Sequence, residues 1–187
     1  MTFRWLVIAA MGAIWAAAAA AQELEGVQVP AEVTVHDTTL VLNGAGVRWK
    51  LFVKAYVGAL YLSEPTRIPQ QVIAAPGPKC IRLVLLRDVE ASSMVNELLT
   101  RFRANSTDEA YEQLRERIDE LNGALPDLRS GDIVRLDLAD SGRTDFWIND
   151  ALVASFGGAD FQTAVLKLWL GDRPADERLK QALLGLT

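Results

Sequence analysis

Segments with alternating apolar residues and segments with helical periodicity occur in separate groups along this chain. Alternation marks residues 33–42 and 52–62, and an apolar run covers 80–86. Helical spacing follows over 95–102 and 110–121, strand patterns resume between 132 and 156, and two helical segments close the chain. A parallel sheet needs a helix after nearly every strand, so this grouping predicts an α+β fold with helices on one face of an antiparallel sheet.

Composition excludes several kinds of site. The 187 residues suffice for one ordinary domain and include a single His, His36, and a single Cys, Cys80. A single Cys cannot form an internal disulfide, and one Cys with one His cannot form a four-ligand Cys/His zinc site. A net charge of −5 without a basic cluster argues against a nucleic-acid partner. Phosphate-binding and metalloprotease motifs are missing, so we predict no cofactor and no metal.

The N-terminal segment resembles an export signal. Arg4 is followed by an uncharged stretch over 5–22 that ends in the alanine run Ala16–Ala21, which predicts a signal peptide at 1–21 and a domain at 22–187. A retained membrane anchor is the alternative, because the apolar run approaches the ~20 residues that span a bilayer. With the signal removed, the sequence predicts a periplasmic or secreted protein without a stable membrane span.

Arg48 and Tyr56 form the most informative pair of polar residues. In an uninterrupted strand they would lie ~26 Å apart, at ~3.3 Å per residue. If the chain instead reverses near Phe52, they become cross-strand partners with Cβ atoms ~5 Å apart. A guanidinium beside a phenol in an apolar pocket would bind a carboxylate or enolate. The alternative is an Arg paired with an acid of the protein and a Tyr that only packs in the sheet.

His36 and Cys80 have simpler interpretations. His36 adjoins the predicted Asp37-Thr38 turn with no nucleophile in reach, which indicates a residue at the surface or rim. Cys80 begins an apolar strand and is expected to be a small core residue, since a reactive thiol needs an electropositive, accessible setting.

Several segments, in order, resemble the exported bacterial branch of the chalcone isomerase-like superfamily. The similarity is carried by Leu42–Arg48, Phe52–Lys54 up to Leu62, Leu86–Val89, Gly158–Phe161, Trp169–Asp172 and Leu179–Gly185. The resemblance implies an open-faced β-sandwich, a large antiparallel sheet covered on one face by a layer of helices, with a ligand cleft between sheet and helices.

The same resemblance separates two functions. The plant enzymes cyclise chalcones with an Arg, a Thr, a Tyr, a Lys and an Asn around the substrate. Here Arg48 matches the Arg of the enzymes, whereas Tyr56 occupies the position of their Thr. The helix motif with Tyr, Lys and Asn should fall near residues 93–101, which contain no Tyr or Lys. The position of a further Thr or Ser of the enzymes falls near Leu168. No catalytic residue is therefore predicted.

Arg48 with Tyr56 is similar to the fatty-acid-binding members, in which these two positions hold the ligand carboxylate. The resemblance thus implies a non-enzymatic binding protein whose ligand is a small amphipathic carboxylate. An isomerase or intramolecular lyase acting on an enone or chalcone-like substrate is the alternative, and an interaction module with an unused cleft is the third.

Overall fold

The computed structural model describes residues 21–187, so the predicted signal peptide lies outside the described residues except for Ala21. The strands are β1 (Gln22–Leu24), β2 (Val27–Val29), β3 (Glu32–Val35), β4 (Thr38–Lys50), β5 (Val53–Leu62), β6 (Lys79–Leu85), β7 (Ile133–Leu138), β8 (Thr144–Ile148) and β9 (Ala151–Phe156). The helices are α1 (Pro69–Ala74), α2 (Ala91–Ala104), α3 (Asp108–Ala124), α4 (Ala159–Leu170) and α5 (Glu177–Leu183).

Strands β3 to β9 form one seven-stranded sheet whose spatial order equals the chain order. Every neighbouring pair is antiparallel. Helix α1 lies between β5 and β6 in the chain, α2 and α3 lie between β6 and β7, and α4 and α5 follow β9. The α+β class and the large antiparallel sheet that the sequence predicts are confirmed.

The main core lies between the sheet and the helices. Helix α4 contributes most, with seven of its twelve residues buried. Its Phe161 is fully buried, and its ring centroid lies 4.9, 6.1 and 6.4 Å from those of Phe156, Phe102 and Phe146. The pair with Phe102 is stacked, the pair with Phe156 is tilted and the pair with Phe146 is edge-on, and ring quadrupoles favour offset-stacked and edge arrangements. The aromatic cluster joins α4 to α2, β8 and β9.

A second, smaller cluster covers part of the opposite face. In β5, Val57, Ala59 and Tyr61 alternate with the residues of the main core and point to this face. The β1–β2 hairpin packs there through Val29, and the Tyr61 hydroxyl donates to the Pro30 carbonyl at 3.0 Å. The sequence did not predict this hairpin, so the open face is less open than expected.

Two hairpins of the sheet turn on residues with left-handed backbone angles. The β3–β4 reversal lies at His36 and Asp37, at φ 44° and 64°, one residue before the predicted Asp37-Thr38 turn. The β8–β9 connection uses Asn149 and Asp150 at φ 47° and 68°. Asn and Asp accept the left-handed region more readily than other side chains, which explains their place in a two-residue hairpin.

Small residues let α5 lie directly on β4. A Cβ at Gly46 would come within 2.4 Å of the Ala182 Cβ, so only glycine admits this approach. Beside it, the Asn43 side-chain amide donates to the Leu183 carbonyl at 2.7 Å near the end of α5. This close packing fixes where α5 begins and brings its N-cap residue, Asp176, to the end of β4 that carries Arg48.

The core of the described residues spans nearly their whole length. Among residues 21–187, the members of the two apolar clusters lie between residues 24 and 184. Within residues 21–187 no helix combines the length and the apolar character that crossing a bilayer requires.

Candidate functional site

Arg48 and Tyr56 lie directly opposite each other on β4 and β5. The chain reverses at Leu51 and Phe52, so the structure adopts the second of the two arrangements considered from the sequence. Both residues are only 8% exposed, and the guanidinium carbon of Arg48 lies 5.6 Å from the centre of the Tyr56 ring. The guanidinium therefore lies against an aromatic face in a largely desolvated setting.

Helix α2 supplies an acid to this pair. The Glu97 Oε1 lies 2.7 Å from Arg48 Nη2 and 3.0 Å from Arg101 Nε, and its Oε2 lies 3.4 Å from Lys50 Nζ. The alternative in which Arg48 pairs with an acid of the protein thus describes the ion pairing of this structure. The single Glu97 carboxylate, however, pairs with three cationic side chains, those of Arg48, Lys50 and Arg101.

Two hydrogen-bond donors at the site have no acceptor among the described residues. The Nε of Arg48 is buried and unpartnered. The Tyr56 hydroxyl oxygen accepts from Trp169 Nε1 at 2.8 Å. Among the described residues the hydroxyl donates to no acceptor, so its proton is free to donate. An unpaired buried donor is costly, which favours an acceptor that satisfies both groups.

A second acid, Asp176, lies near the site. Its Oδ2 accepts from the Trp49 backbone N–H at 3.0 Å, its Oδ1 caps α5, and its charge acts on Tyr56. None of the ion pairs among the described residues joins Asp176 to Arg48, Lys50 or Arg101, which share the Glu97 carboxylate. An added anion would therefore meet cations that share one acid.

The phenol of Tyr56 is a donor rather than a base. Burial raises its pKa above the ordinary value, and the neighbouring Arg48 charge and the Trp169 hydrogen bond offset only part of that rise. At neutral pH the hydroxyl is therefore protonated. This suits hydrogen bonding to a carboxylate better than abstraction of a proton.

Acid should weaken the contact between α2 and β4. Burial acts to raise the pKa of Glu97, but its hydrogen bond to Arg101 and the charges of Arg48, Arg101 and Lys50 outweigh burial, so the pKa lies below the ordinary value. A lowered carboxyl pKa stabilises the fold above the unfolded value of about 4.3 and ceases to do so as the pH falls through the folded value.

We therefore expect Glu97→Gln to reduce the free energy of unfolding at pH 7 and to leave it nearly unchanged near pH 2. Urea unfolding of both proteins at several pH values measures this. A stability difference that stays constant from pH 7 to pH 2 would contradict it.

Two clefts lie elsewhere on the molecule. One of about 400 Å³ lies between α3 and α4 and includes Thr107 and Lys167. The other, of about 740 Å³, lies around α1 and includes Val72 and Lys79. Neither is lined by Arg48 or Tyr56, so the expected cleft beside this pair is not one of these two. The guanidinium meets the Glu97 carboxylate instead.

The two other residues considered from the sequence lie away from this site. His36 lies in the β3–β4 turn, with its Nε2 3.4 Å from Asp145 Oδ2, as expected for a rim residue. Cys80 is fully buried, and burial raises the pKa of its thiol, which leaves it uncharged and unreactive. Within residues 21–187 no group of three side chains is placed to hold a metal ion.

Sequence reasoning found the Arg48–Tyr56 pair but missed Glu97 and Trp169. Glu97 is the single acid of α2, and Trp169 lies among the apolar residues of α4, so neither residue type signals a contact with the pair. Leu168, the position near which the plant enzymes carry a Thr or Ser, is buried in the main core.

Comparisons with known proteins agree with this fold. A comparison with curated protein sequences finds no significant match. Among solved structures, a fatty-acid binding protein from Arabidopsis thaliana superposes with a TM-score of 0.66 at 14% identity, over 85% of this chain and 92% of that chain. At this identity the likeness supports the fold. The model of the family described as chalcone isomerase-like matches residues 21–185, and the chain therefore belongs to the chalcone isomerase-like family.

Proposed function

We propose that this protein is an exported, non-enzymatic binding protein for a small amphipathic carboxylate such as a fatty acid. The observation that carries the proposal is the buried Arg48 Nε, which has no partner among the described residues, opposite Tyr56, whose hydroxyl accepts from Trp169 and keeps its own proton to donate. A carboxylate can accept from both at once, and hydrogen bonds to a charged acceptor are the stronger kind.

In this proposal Glu97 occupies the place of the ligand carboxylate while the protein is empty. A ligand that takes Arg48 from Glu97 leaves that side chain paired with Arg101 and Lys50, so neither carboxylate loses all its cationic partners. The exchange therefore replaces one ion pair by another without leaving an unpaired buried charge, which would be costly.

The ligand tail is proposed to lie between α2 and the sheet. Phe102 is the single buried residue of α2, whereas α4 has seven. The other apolar residues of α2 facing the main core are only partly buried: Met94, Val95, Leu98 and Leu99. An acyl chain under α2 would bury the apolar surface that these residues leave exposed, at a gain of about 25 cal/mol per Å².

The comparisons support the proposal at the level of the fold. The Arabidopsis neighbour is a fatty-acid binding protein, and its fold provides a sheet and a helical layer like the one here. Export rests on the predicted signal at 1–21. Fractionation of cells and the intact mass of the mature protein test it, with Gln22 as the expected first residue.

The test of the ligand site is Arg48→Ala. We expect the affinity for a long-chain fatty acid to fall by roughly 1.5 to 3 kcal/mol, since this change removes a hydrogen bond to a charged group. The fold should remain intact, because Arg48 lies near the end of β4, whereas α5 packs on β4 at Asn43 and Gly46. Titration calorimetry with a soluble fatty acid and mass spectrometry of lipids extracted from the purified protein measure the effect.

Two controls separate this effect from general damage. Arg115→Ala removes an exposed guanidinium of α3, 63% accessible, and should leave affinity unchanged. The methyl ester of the same fatty acid should bind the wild type weakly and should not respond to Arg48→Ala. Equal fatty-acid affinity in wild type and Arg48→Ala, or a wild type without bound lipid, would refute the proposal.

An isomerase acting on an enone is the second candidate, because Arg48 beside a protonated phenol could also stabilise an enolate and return a proton to it. Turnover of a chalcone panel that disappears in Arg48→Ala would support this candidate over the first.

A further inference from the structure

The tip of the β4–β5 hairpin exposes a cluster of large apolar side chains. Phe52 is 93% exposed, Leu51 88%, Val53 44% and Trp49 40%. Other exposed large apolar residues among those described, such as Leu152, stand alone. Scattered apolar residues are normal on a protein surface, whereas a contiguous group marks an interaction site.

This tip extends beyond the rest of the sheet. Strand β6 pairs with β5 only from Tyr56 onward, and the last bond between them runs from the Leu86 N–H to the Ala55 carbonyl. Residues 49–54 therefore form a two-stranded projection. Leu51 adopts a left-handed φ of 58°, which glycine or asparagine would take with less strain. The chain thus keeps an exposed leucine where the backbone disfavours one.

Basic side chains flank the apolar tip. Lys50 and Lys54 stand on either side of the turn, and the Lys54 ammonium lies 5.3 Å from the centre of the Trp49 ring. Lys54 also contacts Glu25 at 2.6 Å, and Lys50 contacts Glu97. The chain as a whole carries a charge of −5, so paired lysines beside an aromatic tip distinguish this end of the molecule.

From this geometry we propose that the hairpin tip inserts into the interfacial layer of an anionic phospholipid bilayer. Leu51 and Phe52 would enter the acyl boundary, Trp49 would lie at the headgroup level, and Lys50 and Lys54 would contact lipid phosphates. Tryptophan prefers this depth, and lysine extends its charge to the headgroups. Tip residues are then exposed because their partner is a membrane surface.

A second copy of the chain fits the tip less well. A stable dimer buries about 800 Å² on each partner, whereas an aromatic side chain buries only ~150–250 Å² and the tip offers few such groups. A symmetric contact would also bring the lysines of one tip against those of the other. Phospholipid satisfies both the apolar and the cationic groups.

The proposal goes beyond the function proposed above and does not depend on it. Arg48 directly precedes Trp49, so a tip held in the bilayer would place the carboxylate site next to the surface from which amphipathic ligands partition. Vesicle binding is measured without ligand, and carboxylate binding is measured without vesicles. Failure of one proposal is therefore distinguishable from failure of the other.

The experiment is sedimentation of residues 22–187 with large vesicles of phosphatidylethanolamine and phosphatidylglycerol. This fragment contains every described strand and helix and omits the predicted signal peptide. We expect wild type to bind at low salt and the double substitution Leu51→Gly/Phe52→Asn to lower the ratio of bound to free protein at least tenfold. Glycine relieves the left-handed backbone at 51, so this variant should fold as well as wild type.

Matched variants complete the test. Leu152→Asn removes an exposed leucine from β9, far along the sheet, and should bind like wild type. Lys50→Gln/Lys54→Gln should weaken binding severalfold and reduce its salt dependence. Vesicle binding that is absent in wild type, or equal in wild type and the Leu51→Gly/Phe52→Asn variant, overturns the proposal. A dimer that forms through the tip without vesicle binding overturns it as well.

Discussion

Gly44→Ala is expected to destabilise the fold severely. A Cβ at this position would lie 2.1 Å from the Ala182 carbonyl oxygen, 2.8 Å from that of Leu183 and 2.9 Å from the Gly185 nitrogen. All three atoms belong to backbone and cannot rotate away as a side chain would. Helix α5 would have to lift from β4, which exposes its buried Leu179. We expect a loss on the order of 3 kcal/mol or more, at the upper end for overpacking.

Gly123→Ala is the matched control for this substitution. A Cβ at Gly123, in the last turn of α3, would meet nothing within 4 Å. Alanine there should stabilise the protein by about 0.5–1 kcal/mol through helix propensity. Urea unfolding followed by circular dichroism measures both variants. A Gly44→Ala protein as stable as wild type would show that α5 does not need the close approach.

Local periodicity explains why most of the fold was predictable. The stripe of α3, including Leu114, Ile118 and Leu121, is buried as its spacing predicts, and Thr107 caps the helix by accepting from the Ala110 N–H. Each of these signals needs only neighbours within a few residues in sequence. Burial of one face then follows from the amphipathic pattern without knowledge of the tertiary partner.

The elements that sequence reasoning missed are short or lack the usual turn residues. Strands β1 and β2 have three residues each, too few for alternation to be evident, although Glu25 and Gly26 between them form a turn at positive φ. The reversal at Leu51 and Phe52 has no Gly, Asn or Pro. In the sequence, this reversal is favoured only by the contact that it creates between Arg48 and Tyr56.

Sequence reasoning missed two residues of the site, Glu97 and Trp169, for a different reason. Glu97 is 49 residues from Arg48 in sequence, and Trp169 is 113 residues from Tyr56. These contacts depend on how α2 and α4 lie on the sheet, which periodicity does not specify. A buried arginine requires an anion, but the sequence does not say whether the anion belongs to the protein or to a ligand.

Glu97→Gln is expected to raise the affinity for a fatty acid and lower the stability of the empty protein. Arg48 would lose its charged partner while remaining buried, so a ligand carboxylate would no longer compete with Glu97 for the guanidinium. Removing one partner of a charged, hydrogen-bonded pair lowers the free energy of unfolding by roughly 2–3 kcal/mol when the groups are mostly buried. A bound ligand carboxylate would restore that amount by pairing with Arg48. This corresponds to an affinity gain of about 30- to 150-fold.

The two site variants are expected to change fatty-acid affinity in opposite directions, so comparing them tests the site more sharply than either variant alone. Arg48→Ala should weaken fatty-acid binding, Glu97→Gln should strengthen it, and the methyl ester should respond to neither. Glu112→Gln on α3 removes an exposed acid paired with Arg115 and serves as the control. Calorimetric titration of all four proteins measures the comparison. If Glu97→Gln binds the fatty acid no better than wild type, then Glu97 and the ligand carboxylate do not share Arg48, because removal of a competitor for that guanidinium must increase its availability.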